Sequence, residues 1–142
     1  MLIALVVFGT APLWWSSYKE WVAPERFMFI DMTVEDAVTG EDHQLFVNRE
    51  ITTEFAGEWI VEVVNAADGT MVSDCVGRGE NIYKPSNNIR QPVALFAWWM
   101  ERSICVLPPG EYYIQTQWTM TITGYPVKVL HRISNVFKVL PR

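Results

Sequence analysis

Apolar and polar residues alternate along most of this chain. Residues 27–34 place Met28, Ile30, Met32 and Val34 on one side, and a period of two marks a half-buried β-strand. Residues 44–50 predict a second, shorter strand. Glu58–Asn65 predicts a third, with Trp59, Val61 and Val63 on one face. The Asp68-Gly69 pair that follows predicts a hairpin turn over 66–69, because these residues tolerate left-handed backbone, and Thr70–Val76 returns. The clearest element is Glu111–Thr123. There Ile114, Thr116, Trp118, Met120 and Ile122 alternate with Gln115, Gln117, Thr119, Thr121 and Thr123. One face is largely apolar and the other uncharged polar, as in an antiparallel strand with one buried side. Gly124-Tyr125-Pro126 turns the chain. Residues 127–133 and 136–140 give a last strand or pair, broken at Ser134-Asn135.

The stretches between are less regular. Residues 35–43 are acidic around Gly40 and predict a loop. Residues 77–92 contain Gly77, Gly79, Pro85, Asn87, Asn88 and Pro92, which predicts a long loop, the kind of segment that often carries function. The apolar runs 93–99 and 102–107 predict buried strands, with one or two helical turns over 93–101 as the alternative. Together these give seven to nine short strands and no long amphipathic helix. That is the pattern of an all-β antiparallel sandwich.

One motif narrows the fold. Leu107-Pro108-Pro109-Gly110-Glu111-Tyr112, leading into the alternating strand to residue 122, resembles the corner before the penultimate strand of fibronectin type III and related immunoglobulin-like domains. The resemblance implies an immunoglobulin-like β-sandwich over residues 24–142. It implies a tyrosine corner at Tyr112, with Tyr113 as the alternative, where a packed ring bonds backbone through its hydroxyl. It implies no function. The antibody-type pattern is absent: Ser103, not Tyr, precedes Cys105 by two, and Trp98 and Trp99 lie at the wrong distance from Cys75.

The N-terminus is different in kind. Residues 2–8 are uninterrupted apolar, Leu13, Trp14 and Trp15 resume the run, and the first charge is Lys19. This supplies fewer apolar residues than the ~20 of an ordinary membrane span, yet is long for a soluble strand. Trp14, Trp15, Tyr18 and Trp21 are the amphipathic rings that a membrane interface selects. Residues 1–23 therefore read as a signal-anchor helix. A cleaved signal peptide is the second reading, though no basic residue precedes the run and no clear cleavage site follows it. A soluble strand or helix packed on the core is the third. Under the first two, residues 24–142 lie outside the cytoplasm, in a periplasm or at a cell surface. The two cysteines, Cys75 and Cys105, have no zinc spacing, and in that setting they predict a disulfide.

The charge is −5 overall, but residues 25–80 carry thirteen acids against Arg26, Arg49 and Arg78, and residues 81–142 carry two acids against seven bases. Net acidity excludes a general nucleic-acid binder. The division predicts either charges that interleave across strands or head-to-tail association between copies. No catalytic motif is present, so an enzyme is not expected. His43 and His131 read as solvated residues, and no cofactor is implied. Asp36, Glu41 and Asp42 are weak candidates for calcium, but lack the spacing of a calcium loop. Tyr83, Trp98, Trp99 and Arg102 are candidate binding residues, since exposed aromatics beside polar groups recognise proteins or sugar rings. The expected function is thus a membrane-anchored extracytoplasmic module acting in protein–protein interaction, self-association or envelope structure, bacterial or phage-encoded. The alternatives are a subunit of a virion or secretion assembly, whose apolar N-terminus packs on a neighbour, and a carbohydrate-binding module.

Overall fold

The computed structural model describes residues 18–89, 92–100 and 105–142, without the side chains of 87–89. The apolar run at 2–8, Trp14, Trp15 and Arg102 lie outside the described residues. Residues 18–21 are helical. Among the described residues no helix is long and apolar enough to cross a membrane.

Two sheets enclose the core. The first contains β1 (Met28–Val34) and β3 (Gln44–Ile51), with β6 (Ser86–Ile89) and β7 (Val93–Ala94) along the other edge of β3. The second has the order β2 (Ala37–Val38), β10 (Phe137–Leu140), β8 (Gly110–Thr121), β4 (Phe55–Asn65), β5 (Met71–Tyr83). In it β9 (Lys128–Ile133) continues the β10 side of β8. Alternation sets the burial: Met28, Ile30, Met32 and Val34 of β1 face inward against Val61, Val63, Ile114, Trp118 and Met120 of the opposite sheet in one apolar cluster.

Ser134 and Asn135 form the break between β9 and β10, and each repairs the bonds that the break would cost. Ser134 Oγ accepts from the Ile114 N–H at 3.0 Å. The Asn135 side chain pairs with Val34 of the other sheet like a strand residue, accepting from its N–H at 2.8 Å and donating to its carbonyl at 2.9 Å. The sheets are therefore stitched together on this side.

Three segments depart from the sequence reading, and of the buried strand expected over 102–107 the described residues 105–107 belong to no strand. Residues 77–92 are not one long loop: β5 runs on to Tyr83 and β6 follows. Gly77 and Gly79 are close-approach glycines inside a strand. A Cβ on Gly77 would strike the Trp99 carbonyl, and one on Gly79 would strike the Trp59 indole. Residues 93–99 take the helical alternative in place of a single strand: β7 passes into the helix α1 (Leu95–Trp99). The acidic stretch 35–43 contains β2, which pairs parallel with β10. The two-residue strands bring the described total to ten rather than seven to nine.

Cys75 of β5 and Cys105 are bridged, with Cα atoms 5.0 Å apart. A bridge of this kind fits a non-reducing compartment.

Candidate functional site: an aromatic cleft between the sheets

On the side away from Asn135 the sheets part, and a cleft of about 490 Å³ opens between β3 and β6 on one wall and β5 on the other. Its floor is built by cross-strand register. Trp59 of β4 stands directly opposite Trp118 of β8, with ring centroids 6.2 Å apart. Trp99 of α1 completes a triangle, 6.1 Å from Trp59 and 6.2 Å from Trp118. Trp98 lies 5.4 Å from Trp99 and forms part of the rim. Tyr83, at the end of β5, meets Trp118 edge-on at 5.8 Å and stacks on Phe55 at 5.1 Å. The Arg49 guanidinium sits 5.3 Å over the Tyr83 ring, a cation–π contact. Glu80, Asn81, Lys84 and Ser86 supply the polar rim.

The helix α1 is short and would not form alone. It is clamped from outside. The Asp42 carboxylate accepts from the Phe96 N–H at 2.8 Å and the Ala97 N–H at 3.0 Å, capping the helix from 54 residues upstream. Leu95 N–H donates to the His43 carbonyl at 2.8 Å. Gly77 admits the Trp99 carbonyl, and the disulfide holds the chain just beyond at Cys105. In a helix successive side chains diverge by a fraction of a turn. Trp99 is consequently buried while Trp98 keeps 40% of its surface exposed.

The structure thus brings Tyr83, Trp98 and Trp99 to one place. Trp59, Trp118 and Arg49 join them. Alternation alone placed both tryptophans on a core face, but the register that sets them side by side has no sequence signal.

Other candidate residues lie elsewhere. Tyr112 is buried, and its hydroxyl donates to the Pro108 carbonyl at 2.8 Å. Burial, and then the charge of Asp68, raise that hydroxyl above the usual tyrosine pKa. The calcium candidates are turned to other work: Asp36 accepts from Lys138 N–H at 2.7 Å, Glu41 lies 3.9 Å from Arg142, and Asp42 caps α1. Among the described residues no group of acids, histidines or cysteines is arranged to hold a metal. His43 is not solvated. It is 1% exposed, its Nδ1 bonds the Glu35 carbonyl at 2.8 Å, and Phe96 and Phe137 pack on its ring. Tyr18 and Trp21 are exposed, Trp21 to 84%.

No protein-family model matches the chain, and no curated protein matches it.

Proposed function

We propose that this chain is an extracytoplasmic immunoglobulin-like β-sandwich module, held at a membrane by its apolar N-terminal segment, that binds a protein partner through the aromatic cleft. The observation that carries the reading is the cleft itself. Trp, Tyr and Arg dominate the energetics of protein interfaces because they combine large apolar area with a polar handle. Here they line a concave space with a mixed polar rim, suited to the anchor side chain of a partner.

Other features support the setting. The bond from Tyr112 to Pro108 is the contact that a tyrosine corner makes in immunoglobulin-like domains. The disulfide suits an oxidising space. Exposed Tyr18 and Trp21, next to the apolar run, suit a membrane interface.

The test is site-specific crosslinking in cells. A photoreactive residue at Lys84, on the cleft rim, should capture one discrete protein, and adding Trp98→Ala should abolish the capture while circular dichroism stays unchanged. Capture that survives Trp98→Ala would place recognition elsewhere. Trp98-dependent quenching by a glycan panel, with no protein captured, would replace this reading with the carbohydrate one.

A further inference from the structure

The strand β5 ends the second sheet. It is 13 residues long, and among the described residues no strand pairs with its outer edge. Long regular edges invite pairing with another strand unless they are blunted. From Val76 onward the residues of β5 that face outward from the sheet are Val76, Arg78, Glu80 and Ile82, with Arg78, Glu80 and Ile82 exposed. Their order is symmetric about Gly79: apolar, basic, glycine, acidic, apolar.

We propose that β5 pairs antiparallel with β5 of a second copy, about a two-fold axis through Gly79. In that register Arg78 stands opposite Glu80 of the second copy, and Val76 opposite Ile82. Both contacts occur twice, as a two-fold interface requires. Opposite charges and apolar pairs directly across an antiparallel ladder are stabilising. The register also answers a local mismatch. Within one copy Glu80 stands directly opposite Glu58 of β4, and directly opposed like charges destabilise a sheet. The second copy brings an arginine to the other side of that glutamate. A shift of the axis by one residue to Arg78 or Glu80 would instead oppose like charges, so the charges select this register. The result is one continuous sheet across two molecules, formed along a strand whose Glu80 and Ile82 also border the rim of the cleft.

Charge substitution tests this with the full chain in density-matched detergent, by sedimentation equilibrium up to about 1 mM, a range that reaches weak interfaces. The wild type should dimerise. Arg78→Glu and Glu80→Arg, each of which opposes like charges twice, should each raise the dimer dissociation constant roughly tenfold or more. The double variant Arg78→Glu/Glu80→Arg should restore it. Glu80→Arg also removes the clash with Glu58, so its melting temperature should hold or rise while association falls, which separates lost pairing from lost folding. A chain that stays monomeric throughout, or a dimer indifferent to both single changes, or a double variant no better than either single, would overturn the proposal.

Discussion

Gly77 carries no side chain because the backbone carbonyl of Trp99 occupies the space. A backbone group cannot swing aside as a side chain can. Gly77→Ala should therefore lower stability by about 1–3 kcal/mol through overpacking, measured by urea unfolding. An unchanged midpoint would contradict the close approach of the Trp99 carbonyl to Gly77. Tyr112 works in the opposite sense, by supplying a bond. Tyr112→Phe should cost about 1 kcal/mol, the usual worth of a buried hydrogen bond. The pH dependence has a definite sign. The folded protein raises the hydroxyl pKa, through burial first and Asp68 second, so the native state holds that proton more tightly than the unfolded chain. Its stabilising contribution is complete below about pH 10, the unfolded value, and is lost as pH climbs through the higher folded value. Stability should fall less steeply above pH 10 in Tyr112→Phe than in the wild type. At this scale the sequence was readable where a residue has one common use. Tyr112, after Pro108-Pro109-Gly110, was such a case. Gly77 and Gly79 were not, since glycine marks both turns and close approaches. His43 was not, because its burial depends on Phe96 and Phe137 from distant segments.

Among elements, those with uninterrupted alternation were legible: β1, β4 and β8 lie where period two placed them, and β3 lies where a short strand was expected. The second half of β5 was hidden because two of its inward positions are glycine, leaving no apolar signal to alternate. α1 was legible only as an alternative, because its five residues, Leu-Phe-Ala-Trp-Trp, are apolar throughout and read equally as strand or as a helical turn. Its helical turn is held by the Asp42 cap. Asp42→Ala should cost about 1 kcal/mol, as loss of a cap does, and should speed amide exchange at Phe96 and Ala97. Unaltered exchange there would contradict the cap. Replacing both cysteines by Ala should remove about 3–4 kcal/mol for a closed loop with a separation of 30 residues. The same change frees the segment beyond Trp99, so Trp fluorescence should shift before global unfolding in denaturant. The cleft was legible only in part: its rim tryptophans stood out in the sequence, whereas its floor depends on the pairing of Trp59 with Trp118.

For the whole molecule, the acidic and basic halves of the sequence are not halves in space. β4 and β5, from the acidic part, are hydrogen-bonded side by side with each other and, through β4, with β8 from the basic part. Arg132 pairs with Glu25 at 3.2 Å and Arg142 approaches Glu41 at 3.9 Å. The Lys128 ammonium is drawn inward to the carbonyls of Lys19 and Glu20, at 2.7 and 2.9 Å, where it caps the helical residues that lead into the domain. The charges of the two parts of the sequence therefore interleave within the folded chain. The two sheets are fastened on one side by Asn135 and left open on the other, where the cleft lies, and the Cys75–Cys105 bridge ties β5, one wall of that cleft, to the chain at Cys105. The bridge is thus what joins compartment, fold and site. The most direct measurement is differential alkylation of the protein taken from its native cells, with thiols blocked before lysis, followed by mass spectrometry. Both cysteines should escape the first reagent and react only after reduction, in the same molecule. Cys75 and Cys105 both labelled before reduction would contradict the oxidising setting and the braced cleft together.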